Sequence, residues 1–344
     1  MVRSILMSRY NTMTPTRKVK NFIEQHKLIR KRDTVLLGVS GGPDSMALLS
    51  MLEEIKHDLG INIVVVNVNH QLRKEAGTDQ SFVANFCQRR NIPFIAEKIT
   101  VTPQKSKSSI EELAREKRFS VLIKAAKKVK AQRIALGHHQ DDLAETVLMR
   151  ILRGTGLQGL SGILPYREIN GFKFIRPLLS LTRAEIMMYL KEKRLKYRTD
   201  LTNKQKHFFR NKVRLHLLPL LQKNYQPNIN KLLANLADNI ATDYDFLNRE
   251  AQTHFKKTLI KNNSKTTITL RDNTLIKLHP SMRRMVFRIC IDNLKGNTNQ
   301  ITAKHLQEID NLLMLRPLKS VLNLPQGLFV TKGKSSLVFA RKSI

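Results

Sequence analysis

Two classes of residue are scarce in this chain. Cysteine occurs only as Cys87 and Cys290, with no Cys-x-x-Cys pair. That excludes a structural zinc finger of the usual spacing and gives no disulfide framework, so a reducing cytoplasm is the expected setting. Acids are few: 27 Asp and Glu stand against 61 Lys and Arg, a formal net charge of +34. A field of that sign favours a polyanion, nucleic acid first, as partner. An AT-rich genome enriches Lys but does not also remove acids. No apolar run approaches the roughly 18 residues of a membrane helix, which excludes spanning. The first acid is Glu24, so residues 1–23 read as a basic leader. A transit peptide and a later start at Met7 or Met13 are both open readings, and a disordered basic tail is preferred.

What is present points to folded domains. Apolar residues make up 41% of 344, enough for two or three buried cores. Thr34–Ser40 is a compact apolar run ending at a Gly-Gly turn, and Ile61–Asn69 is a second. Further strands are expected at Pro93–Ile99 and Arg133–Gly137. Helical periodicity fills the intervals at Asp44–His57, Thr78–Arg90, Ile110–Lys130 and Asp141–Leu152. Strict alternation implies an α/β fold with a doubly wound parallel sheet covered on both faces. A strand at Phe172–Ile175 and a helix at Thr182–Lys193, N-capped by Thr182, follow. The expected organisation is a leader over 1–23, a catalytic domain over 24–225, a helical linker over 226–256 and a small α+β domain over 257–344.

The chemistry concentrates after the strands. Ser40-Gly41-Gly42-Pro43-Asp44-Ser45 joins a strand to a helix, where backbone N–H groups and the helix dipole receive a phosphate. It lacks the Gly-Lys-Ser/Thr ending of a Walker loop. Gly137-His138-His139-Gln140-Asp141-Asp142 closes the fourth strand, at the sheet edge where ligands sit. Asp142 and Glu145 lie three apart on one helical face, and Arg210 and Arg214 four apart on another. Asn69-His70-Gln71-Leu72-Arg73, Ala114-Arg115-x-x-Arg118-Phe119, Arg153-Gly154-Thr155-Gly156, Ile175-Arg176-Pro177 and Asp200-x-x-Asn203 complete the set.

The Ser-Gly-Gly-x-Asp-Ser string resembles the signature loop of the PP-loop ATP pyrophosphatases. The motifs in this order resemble the tRNA(Ile)-lysidine synthetase family, strongly over Asp33–Leu221 and more weakly beyond. Many members carry Gln where Leu143 stands, so no polar role is assigned there. The resemblance implies ATP and Mg2+ as cofactors, and L-lysine and a tRNA(Ile) with a CAU anticodon as substrates. It also implies two steps: adenylation of the wobble cytidine at its 2-carbonyl oxygen, then attack of the lysine ε-amine at C2. By that resemblance Ser40, Gly41, Gly42, Pro43 and Ser45 bind ATP, and Asp44 helps to hold magnesium. Arg115 and Arg118 meet the α-phosphate, and His138, favoured over His139, contacts the nucleotide. Asp142 and Glu145 hold lysine. Arg210, Lys212 and Arg214, with Arg283 and Arg284 in the last domain, are the expected tRNA contacts. The oligomeric state stays open, a homodimer being one option.

Two other classes compete. A PP-loop tRNA thiolase also adenylates a base but ordinarily needs paired cysteines, which Cys87 and Cys290 do not offer. A basic RNA-binding protein with a vestigial loop leaves Asp44, Asp142, Glu145 and the arginines unexplained.

Overall fold

The computed structural model describes residues 13–69, 76–99, 110–198, 209–264 and 266–342. They fall into two compact units, 1–241 and 242–344.

The first unit is built on a six-stranded sheet. Its strands are β1 (Thr34–Gly38), β2 (Asn62–Asn69), β3 (Phe94–Lys98), β4 (Arg133–Ala135), β5 (Tyr166–Ile169) and β6 (Phe172–Ile175). The order is β3-β2-β1-β4-β6-β5, parallel throughout except for β5. Side chains alternate across the sheet, so each strand feeds two cores. Val35, Leu37, Ile63 and Val65 pack on one face, and Leu36, Val64 and Val66 on the other. The first face is covered by α1 (Pro15–Gln25), α2 (Pro43–Leu59) and α3 (Ala76–Gln88), the second by α4 (Ile110–Lys128). Next come α5 (Gln140–Leu152), the single turn α6 (Leu157–Leu160) and α7 (Arg183–Glu192), whose Ile186 and Tyr189 join the first core. Thr182 caps α7 as expected: its hydroxyl accepts from Glu185 N, and the Glu185 carboxylate accepts from Thr182 N.

One expectation needs correction, and one strand gains a partner. The leader is not a disordered tail over its last part. Pro15–Gln25 is a helix capped by the Thr14 hydroxyl, with Val19 and Ile23 fully inside the core. Its outward Lys and Arg residues hide the apolar stripe in a composition count. Residues 1–12 lie outside the described residues. The strand at Phe172–Ile175 is also half of a hairpin, with β5 paired antiparallel to it. Asn170 and Gly171 form the turn at φ +49 and +77, the left-handed pair that a tight two-residue hairpin needs.

Residues 209–224 form α8, helical at Phe209–Lys212 and Leu218–Asn224 and π-helical between, at Val213–Leu217. Pro219 explains the widening: it has no N–H to give and crowds the preceding turn of an ordinary helix. The helix α9 (Ile229–Thr258) follows, and the division between units falls within it.

The second unit is an antiparallel sheet of β7 (Leu259–Ser264), β8 (Thr267–Arg271), β9 (Val321–Asn323), β10 (Leu328–Lys332) and β11 (Ser336–Arg341), ordered β7-β8-β11-β10-β9. The short α10 (Asp272–Ile276) and the longer α11 (Pro280–Lys295) and α12 (Ala303–Met314) share its core.

Candidate active site

The strand order reverses between β1 and β4, with β2 on one side and β6 on the other. A doubly wound sheet opens a crevice at that point, between the loops leaving the two strands. One loop is Ser40–Ser45 and the other Gly137–His139. Gly41 sits at φ +87, and Gly42 precedes α2 in extended conformation with Pro43 in the first turn. Ser45 Oγ donates to Gly42 O at 2.9 Å and accepts from Ser40 N at 3.2 Å, which folds the loop over the helix start. Buried Asn67 donates to Val39 O at 2.8 Å and fixes the end of β1. The loops touch closely at Gly137, where a Cβ would lie 3.2 Å from the Asp44 carbonyl group.

Between them lies a cavity of about 450 Å³, lined by Ser40, Gly42, Asp44, Ser45, Gly137 and His138 together with four arginines. Those arginines are Arg118, Arg183, Arg198 and Arg214, and Asp79 adds a carboxylate. Anion-accepting backbone, cationic side chains and two carboxylates form the inventory of a metal-nucleotide site. Magnesium is usually bound through one or two carboxylates and the phosphates of its substrate, and Asp44 and Asp79 fit that donor chemistry.

Beside the cavity, His139 is buried to 1% within a ring of carboxylates. Its Nε2 is 3.8 Å from Asp44 and 3.4 Å from Asp142, and its Nδ1 is 3.5 Å from Asp141. Burial pushes the imidazole down, but the facing carboxylates of Asp141, Asp142 and Asp44 outweigh it and raise the pKa. Burial works against Asp141 too, yet His139, Arg183 N and Asn230 draw it down to about 2. Asp142 is likewise held low, by His139 and Arg210 against its burial. Glu145 moves the other way. Burial raises it, and neighbouring Asp142 adds to that against the pull of Arg210 and Arg214. Arg210 Nε lies 2.8 Å from Glu145 and its Nη2 3.0 Å from Asp142, while Arg214 Nε is 3.4 Å from Glu145.

Residues 11–221 match the family model of the PP-loop domain. The tRNA(Ile)-lysidine synthase of Clostridioides difficile strain 630 is 36% identical over 331 residues, covering 95% of this chain and 71% of that protein. The chain belongs to the tRNA(Ile)-lysidine synthase family. The bifunctional protein TilS/HprT of Listeria monocytogenes serotype 4b is 35% identical over 325 residues. There the chain spans half of the longer relative. Among solved structures, the U34-tRNA thiolase NcsA of Methanococcus maripaludis superposes with a TM-score of 0.57 over 66% of this chain and 77% of that one. At 21% identity this likeness shows the fold alone.

Within this lysidine synthase family member, the structure gathers most of the residues singled out in the sequence and redirects several. Ser40, Gly42, Pro43, Asp44, Ser45, Arg118 and His138 line one cavity, and Gly41 shapes its loop. The side chain of Arg115 lies outside the described residues, as do His70 and Arg73. Asp142 and Glu145 adjoin the cavity but already hold an internal cation. Arg210, expected to bridge active site and tRNA, is the counterion of those carboxylates on the active-site side. Arg214 divides itself between Glu145 and the cavity. Lys212 and Arg284 are exposed, as phosphate contacts require. Arg283 is not: it is 6% exposed and bidentate to Asp310, at 2.6 and 2.9 Å. It also donates to Leu278 O at 2.8 Å, so it braces the second unit from within.

Arg183, Arg198 and Asp79 were not foreseen. Arg183 pairs with the Asp44 carboxylate, and its backbone N–H donates to Asp141 at 2.7 Å. Arg198 N donates to Gly41 O at 2.9 Å, and its guanidinium faces Asp79 at 3.6 Å. The one available signal for Arg183 was its place just after the Thr182 cap, at a helix N-terminus.

Proposed function

We propose that the chain attaches L-lysine to C2 of the wobble cytidine of a tRNA(Ile) with a CAU anticodon, using ATP. In this reading the cytidine O2 attacks the α-phosphorus and pyrophosphate leaves. The lysine ε-amine then attacks C2, loses a proton, and AMP departs. The product pairs with A in place of G.

The observation that carries the reading is the junction of two chemistries at one switch point: an anion cavity and, against it, buried carboxylates of opposite preference. The Ser40–Ser45 backbone and the positive end of α2 would hold the pyrophosphate moiety. Asp44 would hold magnesium, whose charge screens the phosphates. Arg183, which lines the same cavity, would meet the departing pyrophosphate, and Arg118 would meet developing charge on the α-phosphate. His138 would contact the nucleotide, while buried His139 keeps Asp44, Asp141 and Asp142 in place. Asp142 and Glu145 would receive a lysine ammonium group, in exchange for part of the bonding to Arg210. A tRNA substrate accords with the +34 charge and with a cytoplasmic setting.

Sulfur transfer, the chemistry of a PP-loop tRNA thiolase, is the second reading. Two observations weaken it. Cys87 and Cys290 belong to different compact units and are both buried. Burial pushes the Cys87 thiol up to about 11 and the Cys290 thiol up as well, which leaves little thiolate to attack. Incubation with ATP, magnesium, labelled lysine and tRNA(Ile) bearing CAU decides between them. Mass spectrometry should find one lysine on the anticodon cytidine; a sulfur-bearing base, or no change at all, would refute the proposal.

A further inference from the structure

The C-terminal end of α5 and the start of α8 enclose a second concavity, of about 410 Å³. It belongs to the first unit and is lined by Leu152, Phe209, Lys212, Val213, His216 and Leu220, among others. Its floor is apolar, yet open to solvent: Leu152 is 53% exposed, Leu220 50% and Phe209 39%. The Arg153 guanidinium lies 4.9 Å from the centre of the Phe209 ring. Lys212 and His216 are exposed on its rim, and among the described residues that line it none is acidic.

The groove is also tied to the candidate active site through both of its helices. Arg210, the residue after Phe209, grips Glu145 and Asp142. Along α5, Leu152 is seven residues beyond Glu145, about 10 Å at the helical rise. An exposed ring, a guanidinium over it and a rim whose described residues are basic make a platform for an unpaired base and its phosphates. A second copy of the chain fits less well, because it would bring a like charge to a basic rim.

We propose that this groove holds the single-stranded loop of the RNA substrate, with one unpaired base stacked on Phe209 beside the base under reaction. The proposal rests on the tRNA reading above. It gives the exposed Arg153 and Lys212 a shared purpose, that of flanking the stacked base.

The test uses the full chain with Phe209→Leu and Phe209→Trp. The sequence contains no tryptophan, so F209W carries a single fluorescent reporter at the groove. Stacking supplies enough affinity that F209L should bind an anticodon stem-loop RNA about 5- to 150-fold more weakly. F209W should bind it near the wild-type level, with its fluorescence quenched by the stem-loop and not by a blunt RNA duplex of equal charge. Thermal midpoints should move little, since the ring is partly in solvent. Wild-type affinity in F209L, or an unquenched F209W that still binds the stem-loop, overturns the proposal. Fluorescence that follows protein concentration and not RNA assigns the groove to a copy–copy contact and overturns it equally. Lysine transfer by the wild type without quenching in F209W refutes the stacking alone. Quenching with no lysine transfer refutes the reaction and leaves the stacking standing.

Discussion

Glu145→Gln separates lysine recognition from adenylation, and the structure sets what it should cost. Glu145 is 2% exposed, with Arg210 Nε at 2.8 Å and Arg214 Nε at 3.4 Å. Glutamine keeps the shape and removes the charge. For folding, two consequences oppose each other. The attraction to two arginines is lost, and so is the burial cost that pushes the Glu145 pKa up. Both guanidiniums are a third or more exposed, so water replaces part of what the carboxylate gave. The thermal midpoint should therefore shift by only a few degrees. Lysine has no such replacement. A charge-assisted hydrogen bond contributes about 1.5–3 kcal/mol, so lysine affinity should fall roughly 10- to 150-fold. Adenylation does not involve lysine and should lose much less. The assay is the lysine KM at saturating ATP and tRNA, beside the rate of AMP–tRNA formation without lysine. An unchanged lysine KM with collapsed adenylation would refute the reasoning and move Glu145 to the nucleotide site.

Three further outcomes follow from other contacts. Arg283→Ala strands Asp310 inside the second unit, which should cost about 3–5 kcal/mol in urea denaturation; a loss below about 1 kcal/mol would show that Asp310 finds water. Gly137→Ala sets a methyl 3.2 Å from the Asp44 carbonyl group. Pyrophosphate release should drop about tenfold or more as the loops are forced apart, with the circular dichroism spectrum retained. Asp141 falls from the ordinary 3.8 to about 2, a depressed carboxylate pKa. It contributes about 2 kcal/mol of stability above pH 4, lost as pH falls towards 2. Asp141→Asn should therefore lower stability at neutral pH and flatten its acid dependence, and parallel pH curves for both proteins would contradict this.

Much of the first unit was legible because its signals are local. Buried parallel strands write themselves as β-branched runs, and Ile61–Asn69 on the page became Asn62–Asn69 in the fold. The phosphate loop needs glycines at adjacent positions of one turn, so its residues stand together. The cap at Thr182 is local too. Residues that meet through the fold leave no such trace. Nothing near Asp44 indicates Arg183, which reaches it only because α7 packs against α2. Arg210 and Arg283 each read as tRNA contacts, since a basic residue on a basic helix looks the same whether it meets a phosphate or a buried acid. The pairing partner is what differs, and in both cases it lies far along the chain. The hairpin at Asn170-Gly171 is another matter: its turn signal was present, but the short strand before it, Tyr166–Ile169, is too polar to stand out.

The carboxylates around His139 have a consequence for how salt acts on this protein. Asp44, Asp142 and Glu145 are balanced by Arg183, Arg210 and Arg214, while Asp141 faces His139, whose pKa the surrounding acids raise. The candidate site is thus close to neutral on this side within a chain of net charge +34. Long-range attraction of RNA arises outside it, on surfaces that counterions reach freely, whereas its own ion pairs are short and only partly exposed, so counterions weaken them less. Ionic strength should then divide the kinetics. The KM for tRNA should climb steeply with salt as bound counterions compete for the phosphates. Turnover at saturating tRNA, and the KM for lysine, should hardly respond.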